Sequence, residues 1–248
     1  MPEPTSIALL SVGTFGLMFR FMRTQYLRAK PWVDRFGAGV LLVVSSPVLI
    51  ACAVLIKLTS RGPAIYKQDR VGQNGRVFTL FKLRTMYEDA EAQTGPVWAA
   101  GDHEDPRVTP VGRILRRTHL DEFPQLLNVL KGEMSLIGPR PERPHFVSQL
   151  KGEIPEYEKR LEVKPGITGL AQIHAGYDRT LRDVRRKVKL DLQYIHRMCW
   201  WVDFLVALNT GRRVFRIIGG DNSKKSEDLR NKQRFNSSSG PFFKESQI

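Results

Sequence analysis

Cysteine is nearly absent from this sequence. The two that occur, Cys52 and Cys199, have no paired spacing and sit among apolar or aromatic neighbours. This excludes a disulfide framework and a thiolate zinc site, and it fits a reducing compartment. The five histidines fall into no ligand pattern, and no segment repeats. Acidic residues are also scarce: Asp+Glu number 25 against 39 Lys+Arg, a formal net charge of +14. Such a balance suits an anionic partner, whether nucleic acid, an anionic lipid surface or a phosphorylated substrate, and composition alone does not choose among them. The 248 residues suffice for one large domain, or for one domain plus appendages.

Charge is missing altogether from the start of "FGAGVLLVVSSPVLIACAVLIKL", residues 36 to 58, until Lys57. A straight helix of that length reaches roughly 35 Å at 1.5 Å per residue, enough to span a bilayer. Ser46 and Pro47 interrupt its middle. Pro47 lacks an N–H and crowds the preceding turn, so a kink is expected there, with the Ser45 and Ser46 hydroxyls satisfying freed carbonyls. Both flanks are basic: Arg20, Arg23, Arg28, Lys30 and Arg35 precede the run, while Lys57, Arg61, Lys67, Arg70 and Arg76 follow it. The positive-inside bias puts both flanks on the cytoplasmic side, which a helix broken at Ser46-Pro47 satisfies and a true span does not. Residues 7 to 22 are apolar for too short a stretch to span comfortably, and no small-residue cleavage site follows them.

Beyond residue 61 the sequence turns polar. "AIYKQDRVGQNGRVFTLFKLRTM" reads as a β-hairpin about Asn74-Gly75. Residues 87 to 106 are acidic and irregular. "VGRILRRTHLDEFPQLLNVLKG" reads as two helical pieces, with Leu126, Leu127 and Leu130 at core spacing. "VKPGITGLAQIHAGY" reads as an ordered loop. Residues 180 to 218 read as one or two helices, basic at first ("RDVRRKVKLD") and then aromatic and aliphatic ("MCWWVDFLVAL"). Adjacent basic and tryptophan-bearing faces suit an interfacial helix on anionic lipid, although a core helix with a solvated start carries the same pattern. Residues 220 to 248 have the composition of a disordered tail.

The residues with the most chemistry are the adjacent Asp121 and Glu122. Acids in a first helical turn complement the macrodipole, and Pro124 suits that turn too, so the pair is readable as an ordinary helix start. Its surroundings add a functional reading. Arg113, Arg116 and Arg117 precede it, and with a helix N-terminus they favour ionised carboxylates, a nucleophile at Asp121 and a phosphate nearby. An ionised acid attacking a diphosphate meets like-charge repulsion, about 1 kcal/mol at 4 Å in water and about 4 kcal/mol at an effective dielectric of 20. Mg²⁺ bridging Asp121, Glu122 and phosphate oxygens would relieve it. In "GPRPE", Arg140 stands between two prolines that stiffen its loop, which suits bidentate phosphate contact.

The Ser-Pro break, "YKQDRVGQNGRVFTLFKLRTM", "DPRVTPVGRILRRTHLDEFPQLLNVLKGEMSLIGPRPE" and "VKPGITGLAQI", in this order, resemble the bacterial sugar transferases, the monotopic polyprenyl-phosphate phosphoglycosyl transferases. The resemblance covers roughly residues 32 to 215. It implies transfer of a sugar-1-phosphate from a UDP-sugar to polyprenyl phosphate (undecaprenyl phosphate in bacteria) on the cytoplasmic face of the inner membrane, with release of UMP. Asp121 would attack the β-phosphate and form a covalent phosphosugar enzyme, which the lipid phosphate then attacks. Glu122 completes the family's dyad, Arg116 would hold phosphate, and Arg140 would meet the nucleotide side. Arg113, Arg117, Lys82 and Arg84, all within the resembling motifs, join the phosphate-binding candidates. Mg²⁺ is the implied cofactor, membrane lipid is an implied partner, and a homodimer is compatible with the resemblance. Three departures stand out: His119 where the family usually has Ser, Phe123 where it has Leu, and "HAGYD" in place of the common Gly-Arg after "GLAQ". Larger members carry an N-terminal membrane domain, so this chain is expected to be the compact form or a piece of a longer one.

The expected fold is α+β: mostly helical with a small β-hairpin, a re-entrant N-terminal membrane helix hairpin and interfacial amphipathic helices. The expected divisions are an apolar and basic extension over 1–31, a re-entrant helix over 32–60, a cytoplasmic catalytic domain over 61–219 and a tail over 220–248. A membrane-tethered nucleic-acid binder is suggested only by the net charge and the basic run 182 to 189. No recognised module with interleaved aromatics supports it, so nucleic acid is not an expected partner. A non-catalytic scaffold is disfavoured by the intact dyad.

Overall fold

The computed structural model describes residues 4–88, 90, 105–175 and 180–218, with side chains described from residue 21 to residue 216 of these. The tail over 220–248, most of the acidic stretch and Gly176–Asp178 of "HAGYD" lie outside the described residues.

A single long helix, α1 (Pro4–Thr59), opens the chain, with Pro31 and Pro47 inside it. It is one helix, among the described residues, long and apolar enough to cross a membrane by length and composition. Helix is maintained past Pro47, and the hydroxyl substitution expected from the sequence is present. Pro47 has no N–H to give the Val43 carbonyl, and the Ser46 Oγ donates to that carbonyl at 2.8 Å. Positions recurring every three or four residues turn toward the rest of the chain. Tyr26, Lys30, Asp34 and Ala38 are buried, and so are Cys52 and Ile56 further along. The opposite face, including Phe36, Val40, Val43, Val44, Ile50 and Leu58, is exposed and apolar.

The β-hairpin forms as the Asn-Gly signal predicts. β1 (Ile65–Val71) and β2 (Val77–Leu83) pair antiparallel from Ile65↔Leu83 to Val71↔Val77. Asn74 and Gly75 both take positive φ, 55° and 76°, inside a short 3-10 turn over Gln73–Gly75. Alternation along β2 puts Phe78 and Leu80 into a core with Ala38, Leu126, Val129 and Met134.

Helix α2 (Pro110–Thr118) starts on a Thr109 side chain that accepts from the Gly112 N–H, and it ends at His119, whose φ is 58°. A six-residue 3-10 helix, Leu120–Gln125, comes before α3 (Leu126–Lys131). The acidic pair therefore sits in a 3-10 turn of its own, and the leucine run begins only after it. Leu126 is buried as expected, but Leu127 and Leu130 are exposed. The reason is geometric: so short a helix buries one stripe, and the i, i+3 pair Leu126 and Val129 occupies it.

Strand β3 (Ser135–Ile137) leads into α4 (Pro144–Glu153) and a 3-10 helix, Tyr157–Leu161. The segment read as a loop is more regular than that. It forms β4 (Gly166–Thr168), parallel to β3, and a short helix α5 (Leu170–His174). Its glycines permit the pairing, because a Cβ on Gly166 or Gly169 would collide with the Gly138 backbone. Two helices close the described chain, α6 (Leu181–Arg197) on a Thr180–Asp183 capping box and α7 (Trp200–Ile218). On α7, Val206 and Asp203 turn inward while Trp201, Phe204 and Phe215 are exposed.

A buried polar knot fastens α1 to this body. Asp203 receives Tyr26 Oη at 2.9 Å, Lys30 Nζ at 2.6 Å and Tyr194 Oη at 2.8 Å. Ser135 Oγ donates to Asp34 at 2.6 Å. The architecture is thus mostly helical, with two small sheets and one long apolar N-terminal helix.

Candidate active site

Three chain segments converge on the acidic pair. The first is the 3-10 helix that carries Asp121 and Glu122. The second is β2, where Lys82 follows Phe78 and Leu80 on the inward side of the strand and meets Glu122 Oε1 at 3.2 Å. The third is the loop after β3, from which Arg140 grips the same carboxylate, Nη2 to Oε1 at 2.7 Å and Nη1 to Oε2 at 3.3 Å. Two cations on one carboxylate hold Glu122 well below the usual glutamate range, with Arg140 acting more strongly than Lys82 against an opposing burial penalty. Glu122 in turn pushes the Arg140 guanidinium up.

Asp121 has a different environment. It is 7% exposed, and its carboxylate accepts no hydrogen bond among the described residues. Burial pushes its pKa up, and the neighbouring Glu122 charge adds to the rise, against the pull of Lys82, His119 and Arg140. Burial thus opposes the ionisation expected from a helix N-terminus and the three preceding arginines. The 3-10 helix is too short for a strong dipole, and the charges nearest in effect are Lys82, His119 and Arg140. The dyad is therefore asymmetric: one acid is held ionised by cations, and the other is buried with no hydrogen bond on it from the described residues. Two adjacent oxygen-donor carboxylates, one of them destabilised in its charged form by burial and a like charge, suit a hard divalent cation. Among the described residues no group of three or more His, Cys, Asp or Glu gathers as a ready-made metal site.

Of the other residues singled out from the sequence, Arg84 and Arg116 are engaged elsewhere. Arg84 is buried and donates to the carbonyls of Arg61 and Ser60 and to Ser60 Oγ, tying the end of α1 to the hairpin. Arg116 Nε bonds Thr85 Oγ1 at 2.9 Å. Arg113 and Arg117 are exposed on α2. The structure thus brings Asp121, Glu122, Lys82 and Arg140 together, and among the described residues no hydrogen bond or ion pair joins Arg84, Arg113, Arg116 or Arg117 to the acidic pair.

Several further residues hold the site in shape, and the sequence alone assigns them no role. Asn128 is fully buried, and its side chain works as a surrogate strand against β2: Oδ1 accepts from Phe81 N at 3.2 Å, and Nδ2 donates to Thr79 O at 2.8 Å and to Glu133 Oε2 at 2.7 Å. It fixes the edge of the strand that presents Lys82. Along 139–142 each carbonyl accepts one hydrogen bond: Pro139 O from Gly166 N, Arg140 O from Arg160 Nη2, Pro141 O from Arg70 Nη1 and Glu142 O from Val71 N. The sequence does not signal these contacts, since most of the partners are distant along the chain.

The resemblance places Asp121 and Glu122 at the reaction, and the clamp that Lys82 and Arg140 form on Glu122 goes beyond it. The profile described as bacterial sugar transferase matches residues 25–217. The chain belongs to the bacterial sugar transferase family. Among similar family members is a UDP-N-acetylgalactosamine-undecaprenyl-phosphate N-acetylgalactosaminephosphotransferase of Aeromonas hydrophila, 43% identical over 194 residues, covering 78% of this chain and 45% of the relative. A UDP-glucose:undecaprenyl-phosphate glucose-1-phosphate transferase of Caulobacter vibrioides is 42% identical over 182 residues, 72% of this chain and 66% of its own length. One of the same description from Escherichia coli (strain K12) is 41% identical over 175 residues, 70% of this chain and 37% of its own length. This sugar transferase chain therefore aligns with less than two thirds of each of these relatives.

Proposed function

We propose that this chain is a phosphoglycosyl transferase that moves a sugar-1-phosphate from a UDP-sugar to polyprenyl phosphate, with undecaprenyl phosphate as the acceptor that the relatives' names indicate. The observation that carries the proposal is the asymmetry of the dyad, Glu122 clamped by Arg140 and Lys82 beside a buried Asp121 whose carboxylate accepts no hydrogen bond from the described residues. A carboxylate without hydrogen-bond partners is a better nucleophile than one bonded to cations. In the proposed reaction an Asp121 oxygen attacks the β-phosphorus of the UDP-sugar. The bond from that phosphorus to the bridging oxygen breaks, and its electron pair leaves with UMP. An oxygen of polyprenyl phosphate then attacks the same phosphorus, the bond to Asp121 breaks, and the carboxylate is restored. Arg140 and Lys82 lie where they can exchange part of their hold on Glu122 for phosphate oxygens, with Arg140 offering the bidentate fork. Asp121 and Glu122 are the residues that would hold Mg²⁺, which when bound supplies positive charge against the diphosphate oxygens.

The same proposal places α1 in the cytoplasmic membrane as a re-entrant helix, with α7 at the interface. The support is packing on both sides of Pro47. Ala38 lies in one core cluster with Phe78 and Leu126, and Cys52 and Ile56 lie in another with Leu83 and Leu115. A helix crossing a bilayer would carry its two ends to opposite faces, whereas here both stretches rest on one body. The exposed Trp201, Phe204 and Phe215 give α7 an apolar surface of the kind an interfacial helix has. Purified chain incubated with labelled UDP-sugar, polyprenyl phosphate and Mg²⁺ tests the proposal. Labelled lipid in the organic phase is expected, and neither lipid product nor labelled enzyme would contradict it.

A further inference from the structure

We infer that Arg160, held by Asp191 and Tyr157, is a positioning residue for the transfer, setting the backbone of Arg140 and through it the Arg140–Glu122 contact. The inference rests on the proposed role of Arg140 at the phosphates. Arg140 sits in a loop without regular hydrogen bonding of its own, where Pro139 and Pro141 supply no N–H. The prolines limit φ on either side, but they do not fix where the loop lies. Its position comes from outside, through the carbonyls. The group on Arg140's own carbonyl is the Arg160 guanidinium, with Nη2 at 3.0 Å.

Arg160 is suited to that task. It lies in the 3-10 helix Tyr157–Leu161, and its side chain is 8% exposed. Nη2 pairs with Asp191 Oδ2 of α6 at 2.8 Å, and that carboxylate side chain is only 3% exposed. Nη1 donates to Tyr157 Oη at 2.8 Å. One planar fork thus donates to two acceptors and is ion-paired to a third segment, a geometry that a lysine ammonium on its flexible stem cannot reproduce. A buried ion pair of this kind contributes little net stability, because desolvation offsets attraction, but it does specify geometry. What it specifies here is the base of the arginine that clamps Glu122. Removing the fork while keeping a positive charge should let the Arg140 loop shift without unpairing Asp191.

The test is a double-mutant cycle in the full chain in detergent, reading UMP release and KM with UDP-glucose or UDP-N-acetylgalactosamine, whichever the unaltered chain turns over. Arg160→Lys should lower kcat roughly 10- to 100-fold with KM changing less than about threefold, the scale at which small misplacements act. In the Arg140→Ala background the same change should cost less than about twofold, since a residue acting through Arg140 has nothing left to position. Full multiplication of the two losses, or an unchanged kcat in Arg160→Lys, overturns the inference. If Arg160→Lys does not fold, Tyr157→Phe removes one of the two hydrogen-bond acceptors and leaves the ion pair. Its loss, roughly 3- to 10-fold, must also vanish without Arg140. An Arg140→Ala chain with normal UMP release would remove both the proposed role of Arg140 and this inference. A slow Arg140→Ala chain with additive losses would remove the inference alone.

Discussion

Asp121 and Glu122 are adjacent in sequence and opposite in electrostatics. Because the Asp121 carboxyl is raised by burial and by the Glu122 charge, the acid limb of its reaction should lie above the ordinary aspartate range. A pH profile of kcat/KM for UMP release should rise through that elevated pKa, and a limb within or below the usual range would contradict this. The same shift has a stability consequence of defined sign. A group whose folded pKa is raised stabilises the fold fully below its unfolded pKa and loses that contribution as pH rises through the folded pKa. Asp121→Asn should therefore raise the thermal midpoint once the pH exceeds the raised folded pKa, with no such gain below the ordinary aspartate range, while abolishing UMP release. Glu122 has the reverse sign, because its depressed pKa gives stability present above the unfolded value and lost as pH falls toward the folded one. Glu122→Gln should cost roughly 1–3 kcal/mol at neutral pH by taking the charge partner from Arg140 and Lys82, and denaturant unfolding should show the difference shrinking below the glutamate range. The importance of the pair is legible in sequence, from its proline and flanking motifs. Its polarity is not, because Lys82 is 40 residues away and the clamp exists only after folding.

The elements differ in how far sequence determines them. The hairpin is local: Asn74-Gly75 supplies the left-handed turn, and alternating residues supply the faces. The capping boundaries of α2 and α6 are local too. The β3–β4 pairing is not, since it joins Ser135–Ile137 to Gly166–Thr168 and depends on glycines that give no signal beyond flexibility. Leu127 and Leu130 misled the reading for a related reason, because leucine spacing says which residues share a face but not that the helix stops at six residues. Asn128 makes an element-scale prediction. Asn128→Leu leaves Phe81 N and Thr79 O without partners, and it should cost roughly 2–4 kcal/mol in denaturant unfolding. A loss below about 0.5 kcal/mol would mean that β2 needs no side-chain ladder there. Ser46→Ala should destabilise α1 more modestly, by roughly 0.5–1.5 kcal/mol, since only the Val43 carbonyl loses its donor.

For the whole molecule, the charge symmetry about the apolar run and the packing of α1 point to the same topology by independent routes. Basic residues on both flanks are a statement about the membrane potential and lipid. Ala38 and Ile56 resting on one body is a statement about contact. Accessibility tags at residue 30 and at the C-terminus should both face the cytoplasm, and tags on opposite sides would show a true span. The proposed reaction calls for a membrane mount of this kind, since one proposed substrate is soluble and the other is a lipid. The central claim is the covalent role of Asp121, and incubation with a UDP-sugar labelled at the β-phosphate, without lipid acceptor, tests it most directly. The account predicts stoichiometric label on the chain, mapped to Asp121, absent from Asp121→Asn and discharged on adding polyprenyl phosphate. Lipid product formed with no labelled chain, or label retained in Asp121→Asn, would contradict it.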